Sequence, residues 1–251
     1  MSYRLYRFGA SQLLPFGQSS DGLGGDVPSD VATTAGGAHF AYGSGVVPLG
    51  VHRINHSGIY SASVQTNVDA LMGLLGQRLQ LWREVESGGA LQWKYARLLS
   101  CRWERDVEQS RHAEITSEFE AVGYWKSSAQ STTSRSSTGT LTPTGGGLAR
   151  VYDAVITFTA SSTGTKTIRM QDSASGIDWT FSASVTNTQV VTIDCGAFSV
   201  LNNAVNAYSS FTLNAAHASD YWCAILPGAN TFTFTLTGAG TVQIAWYDSW
   251  V

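Results

Sequence analysis

Charge is scarce in this sequence: Asp, Glu, Lys and Arg make up 13% of its 251 residues and balance to a formal −3. So small a net charge gives no basis for nucleic-acid binding or for attraction to an anionic membrane surface. It favours neutral partners, most simply other protein. Long apolar runs are missing too, none approaching the roughly 20 residues of a membrane span. The first nine residues hold arginines but no apolar h-region, which predicts no secretory signal and assembly in the cytoplasm. The cysteines, Cys101, Cys195 and Cys223, are odd in number and far apart in sequence. That argues against a disulfide framework and for buried free thiols in apolar strands.

Glycine is abundant, and Ser and Thr dominate the C-terminal half, a composition suited to short strands joined by turns. The clearest pattern is at the end of the chain, in residues 220–250. Phe232, Phe234 and Leu236 alternate with threonines, so one face is buried and the other wet. Leu226-Pro227-Gly228 is the residue set of a type II turn, with proline fixing φ and glycine supplying a positive one. Asn230 is expected to brace that turn through its side chain. After residues 238–240 turn the chain again, Val242, Ile244 and Trp246 form the next inward face, so a closing antiparallel pair is predicted.

Earlier in the chain, a first strand is expected over residues 2–8. Residues 16–50 then change to Gly, Ser, Asp, Thr and Ala, a loop either disordered or ordered by a neighbour. Its glycines lack the Gly-Lys-Ser/Thr ending and the strand-loop-helix setting of a phosphate loop. One helix is predicted, capped by Thr66 or Asn67, with Asp69 in its first turn, the stripe Val68, Leu71, Met72 and Leu75, and Gly76 as terminator. Residues 79–85 and 91–103 read as a long β-hairpin. In the next strand Ile115, Ser117, Phe119 and Ala121 oppose Glu114, Thr116, Glu118 and Glu120, and Trp125 closes the unit.

Residues 127–147, rich in Ser, Thr and Gly, are expected to be a flexible linker between a domain over 1–126 and another over 148–251. Of the 15 basic and 18 acidic residues, 11 and 12 precede residue 127. Beyond it, strand-like runs recur without a helix. The expected fold is therefore mainly β with one short helix, ending in an antiparallel sandwich of about eight strands, jelly-roll-like.

No nucleophile has a convincing base beside it. His52 and His56 are spaced like a helical zinc pair but lack the adjacent Glu and the helix. Neither enzyme activity, cofactor nor metal is expected. Aromatics are dense in the C-terminal half, and Trp179 and Tyr208 are candidate carbohydrate contacts, since flat rings hold sugars; the simpler reading is that such rings fill the space between two sheets.

The run from Trp222 through Leu226-Pro227-Gly228 to Asn230, followed by two strands and a terminal Trp, resembles the end of the distal tail proteins (Dit) of phages with long non-contractile tails. Residues 145–159 and 190–194 are similar to other parts of that family's second domain. The helix, the long hairpin and residues 115–125 resemble its ring-forming domain more loosely, and Gly123-Tyr124 stands where the family often has Asp-Pro. The resemblance implies a sheet-based or barrel-like ring-forming domain and a galectin-like second domain. It further implies a homohexameric ring in the virion tail tip, with the tail tube protein, a tail hub or tip protein and sometimes receptor-binding proteins as partners. The alternative is a carbohydrate-binding module on a host-recognition protein, which would contact host polysaccharide.

Overall fold

The computed structural model describes residues 4–15, 17–21, 51–85, 90–105, 112–214 and 221–250. The chain forms two compact units, Met1–Ser128 and Ala129–Val251. Most of the Gly-rich stretch, and the turn of the long hairpin, lie outside the described residues.

The first unit contains β1 (Arg4–Phe8), β2 (Gln12–Leu13), β3 (Gly17–Asp21), β4 (Val51–Tyr60), α1 (Val64–Met72), β5 (Arg78–Glu84), β6 (Leu91–Arg105) and β7 (Ala113–Ser127). The strands form one antiparallel sheet in the order β2-β1-β5-β6-β7-β4-β3. Within the Gly-rich stretch, Gly17–Asp21 is thus ordered as a strand on β4.

Period-two patterning explains the burial. Ile115, Ser117, Phe119 and Ala121 are buried while Glu114 and Thr116 are exposed. In β1 a register shift between Leu5 and Arg7 breaks the alternation, so Leu5 and Phe8 both face the core. Tyr60 is buried as well, its hydroxyl donating to Leu13 O at 2.8 Å and accepting from Gln12 Nε2 at 3.0 Å. Burial pushes its phenol up to about 12, against the opposing pull of the Gln12 hydrogen bond.

The helix departs from expectation at both ends. It begins after Ser63, a left-handed residue without a side-chain cap, because Asn67 N donates to Ser63 O and closes the first turn there. Thr66 and Asn67 therefore lie inside the helix, and the Asn67 amide bonds Ala62 O instead of capping. Asp69 is in mid-helix, accepting from Gln65 one turn back. The helix stops at Gly73, and Gly76, at φ +76, ends a further turn by donating to Leu98 O. Only Val68 and Leu71 of the predicted stripe are buried.

The second unit adds β8 (Ser131–Arg135), β9 (Gly139–Leu141), β10 (Thr144–Gly145), β11 (Val155–Ala160), β12 (Gly164–Asp172), β13 (Ile177–Val185), β14 (Val190–Asp194) and β15 (Ser199–Asn202). After β16 (Val205–Asn206) come a 3-10 turn at Tyr208–Ser210, β17 (Phe211–Leu213), β18 (Gly228–Ala229), β19 (Phe232–Thr237) and β20 (Gly240–Trp246). Two sheets, β16-β15-β14-β11-β20-β8 and β17-β13-β12-β19-β9, enclose the core, and β10 pairs with β18 as a separate ribbon. Ile156, Phe158, Val191, Ile193, Val242 and Ile244 from one sheet meet Ile168, Met170, Trp179, Phe181, Phe232 and Phe234 from the other.

Three expectations need correction here. Residues 127–147 are not a flexible linker: β8 pairs with β20 and β9 with β19, so the segment closes one edge of both sheets. Arg135 holds the corner between them, donating to Ser137 O, Thr138 O and Thr140 O at 2.7, 3.0 and 2.9 Å. A Cβ on Gly139 would sit 2.3 Å from that guanidinium.

The sandwich therefore has more strands than the expected eight or so. The predicted closing pair is also not a ladder. β19 pairs with β12 and β9, β20 with β11 and β8, so the Gly238 corner, at φ +88, carries the chain from one sheet to the other. Finally, residues 222–226 make only the single bridge Val151↔Ile225. Trp222, Cys223, Ala224 and Ile225 are all buried, and a two-faced strand in a sandwich wall cannot bury four successive side chains that way.

Candidate functional site

The residues that define the closing turn form a hydrogen-bonded plug. Pro227 and Gly228 are exposed, and Gly228 has φ +88. Asn230 is buried beneath them. Its Oδ1 accepts from Leu226 N at 2.8 Å, and its Nδ2 donates to Leu226 O and Gly228 O at 2.9 Å each and to Pro143 O at 3.3 Å. Both ends of the amide are engaged by backbone, which ties Leu226, Gly228 and Pro143 together around the turn.

Facing it is an element that residue patterning did not single out, the run Gly145-Gly146-Gly147. Gly145 pairs with Gly228, and a Cβ on it would lie 2.4 Å from Leu226 O. A Cβ on Gly146 would lie 2.7 Å from Asp248 Oδ2, whose partner oxygen accepts from Gly146 N and Trp246 Nε1. On Gly147 it would lie 2.0 Å from Ser249 O. Consecutive glycines in a strand-rich chain are the signal for such close backbone approach.

The two candidate sugar contacts part company. Trp179 is fully buried, with Nε1 donating to Trp222 O at 2.8 Å and its ring 5.3 Å from Phe211 and 6.5 Å from Phe234. It fills the space between the sheets and cannot meet a sugar. Tyr208 is 48% exposed.

In the first unit one sheet face carries an aromatic ladder centred on the buried Trp93, with Trp82 at 6.3 Å and the exposed Tyr95 at 5.4 Å. Arg7, Lys126 and Arg78 stand over these rings at 4.6, 5.5 and 5.1 Å. Across β6 and β7 the same face turns acidic, with Glu114, Glu118 and Glu120 in register against Glu104, Ser100 and Arg97, and Glu118 also paired with Arg53. Arg83 and Lys94, both buried, lie 4.3 and 4.4 Å over the ring of Trp125. Alternation alone marked Arg83 and Lys94 as ordinary strand residues; only the register shift between Trp93 and Tyr95 brings Trp125 to them.

Among the described residues no group of His, Cys, Asp or Glu is placed to hold a metal ion, and no helix is long and apolar enough to cross a membrane. His52 and His56 are on β4, where a four-residue step separates their backbones by about 13 Å. Cys101 is half-buried rather than buried, and accepts from Ser117 Oγ at 3.8 Å. Cys195 and Cys223, though far apart in sequence, are neighbours in the core. A hydrogen bond between their side chains and full burial hold the Cys195 thiol well above its usual range.

On the outer face of the second sheet, Arg169 grips Asp178 through Nε and Nη2 at 2.9 and 2.6 Å, and Asn214 adds a further donor at 2.9 Å. The Arg169 hydrogen bonds hold the Asp178 carboxyl below the usual carboxylate range. A depressed folded value stabilises above the unfolded pKa of about 3.9 and is lost as pH falls through the folded one. Asp178→Asn is therefore expected to melt slightly below the parent at pH 7, with the gap closing below about pH 3.9. Thermal unfolding across pH 2–7 checks this, and a gap that persists in acid contradicts it.

A family model described as siphovirus-type tail component, C-terminal domain, matches residues 149–250. Among solved structures, the Dit protein of phage SPP1 aligns over 97% of this chain and 93% of its own, at 12% identity and a TM-score of 0.54. It is described as a paradigm of the hub adsorption apparatus in phages infecting Gram-positive bacteria. The activated baseplate of phage P2, with calcium or strontium, aligns over 98% of this chain and 90% of that one at 10% identity, with TM-scores of 0.43 and 0.44. Curated protein sequences yield no significant match. Residues 149–250 thus match the C-terminal domain of the siphovirus-type tail components, in a chain that shares the fold of the SPP1 Dit protein.

Proposed function

We propose that this chain is a non-enzymatic distal tail protein, a structural part of the virion that joins the tail tube to the tip or host-recognition apparatus as a homohexameric ring. The observation that carries this reading is the family match over residues 149–250 on a chain whose whole length shares the fold of a tail hub protein. The first unit builds the ring and the second, galectin-like unit faces outward. Partners are other copies of the chain, the tail tube protein, a hub or tip protein and receptor-binding proteins, and assembly takes place in the host cytoplasm.

The first unit has a surface suited to a ring. One flank of this face presents Tyr95 with Arg78 over its ring, and Arg7 and Lys126 over Trp82 and the buried Trp93; the other presents Glu114, Glu118 and Glu120. Unlike flanks meeting head to tail make a heterologous contact, which closes when the rotation between copies divides a full turn. Native mass spectrometry of the purified chain is the test. A sixfold species dissolving above about 0.5 M salt, where screening is strong, is expected. A strict monomer at every concentration and ionic strength overturns the ring.

A further inference from the structure

We propose that Cys195 and Cys223 form a convertible dithiol, which a small-molecule disulfide such as oxidised glutathione closes into an intramolecular bridge that tightens the sandwich. The two are 28 positions apart in sequence, yet both are free thiols, buried in one core and adjacent to each other. A single short segment brings them together. Ala154 O accepts from Cys195 N at 3.1 Å, and Val151 exchanges two backbone hydrogen bonds of 2.9 Å with Ile225, two residues beyond Cys223. Both backbones are thus pinned to the stretch between Val151 and Ala154, and both side chains join the core between the sheets.

Packing alone does not call for a thiol at both positions, since another small apolar residue would fill each. Nor do two thiols make a structural zinc site, which takes four ligands. Among the described residues no group of three or more His, Cys, Asp or Glu is placed to hold a metal ion. What two adjacent thiols can do is exchange into a disulfide.

Full burial keeps the closed pair inert, and the neighbouring thiol together with desolvation holds Cys195 protonated. Reaction therefore goes through local opening, and the chain between the two cysteines is suited to it. β16 pairs with β15 through two residues and β17 with β13 through three, so both sheet edges here are held by short ladders. Three of the five non-glycine residues with positive φ among those described, Phe198, Asn203 and Ala204, lie in this stretch.

In the opened state one cysteine thiolate attacks a sulfur of oxidised glutathione, whose S–S bond breaks and releases a glutathione thiolate. The second cysteine thiolate attacks the protein-side sulfur of that mixed disulfide, forming the Cys195–Cys223 bond and releasing the other glutathione thiolate. Two electrons pass to glutathione, and the two thiol protons end on its thiolates. A reducing cytoplasm keeps the pair open, and an oxidising medium closes it. Closure joins the ends of a loop of about 30 residues, which restricts the unfolded chain and so stabilises the folded one. This chemistry belongs to the isolated chain, so it and ring assembly can fail separately.

The test starts from the full chain, purified reduced and incubated with oxidised glutathione just below its melting temperature. Free thiols are then blocked with iodoacetamide and the chain is mapped by mass spectrometry without reduction. The expected result is a Cys195–Cys223 cross-link that excludes Cys101, with a melting temperature about 5–10 °C higher that dithiothreitol reverses. Cys223→Ala and, independently, Cys195→Ala should each lose that rise. Thiols that stay reduced through prolonged incubation, glutathione adducts on both cysteines without a cross-link, or a cross-linked chain that melts no higher than the reduced one would each refute the proposal.

Discussion

Asn230→Ala is expected to lower the stability of the second unit by about 3 kcal/mol. The reason is geometric. One side chain bonds Leu226 N, Leu226 O and Gly228 O, and alanine would take that partner from all three around a buried gap, while Pro143 O keeps its 2.9 Å bond from the backbone N–H of residue 230. Each net hydrogen bond is worth about 1 kcal/mol, and a stranded buried group costs more than the bond itself. In a domain of this size the loss corresponds to a fall of about 10 °C in melting temperature. Asn230→Asp separates the donor from the acceptor. It keeps the oxygen facing Leu226 N but turns a carboxylate towards three carbonyls, so it should be at least as damaging as alanine. Differential scanning calorimetry of the full chain reads both, and an aspartate variant as stable as the parent would mean that the amide does not organise this turn.

Trp179→Ala is expected to cost about 4 kcal/mol, the usual range for removing a large buried aromatic ring. The ring touches Phe211 and Phe234, and its indole N–H satisfies Trp222 O, so truncation empties the centre of the core and strands a carbonyl. Against a total of about 5–15 kcal/mol for a domain, little stability remains, and the near-ultraviolet circular dichroism of the second unit should be largely lost at 37 °C. Tyr208→Ala should leave that spectrum nearly intact.

Alternating residues made the strands legible, and the fold class with them. They could not show partners. Phe232, Phe234, Val242 and Ile244 do share one core, yet from opposite sheets, because inward-facing alternation looks the same whether two strands pair or face each other across a sandwich. Residues 127–147 were misread because Ser and Thr are as common in polar edge strands as in linkers. The distinguishing feature is Arg135, whose guanidinium finds three carbonyls only once the chain has turned. Asn67 illustrates the same limit on a helix, since a good capping residue can lie within the first turn when a preceding left-handed Ser63 starts the helix earlier.

The candidate surface was half legible. Tyr208 is legible only as one of the dense C-terminal aromatics, and its packing on Phe211 and Trp222 depends on the 3-10 turn, which no periodicity announces. Trp179 looked equivalent in sequence and is not, because whether a ring lines a core or a surface depends on which face of β13 meets the second sheet. The cations over Trp125 escaped notice for a related reason, since their meeting depends on a register shift.

The central claim is that the chain belongs to the far end of a phage tail. Immunogold electron microscopy of virions carrying it, with antibody raised against the second unit, tests that most directly. Label concentrated at the distal tip of the tail, one cluster per particle, is the predicted result; label on the capsid or spread along the tube would contradict the account.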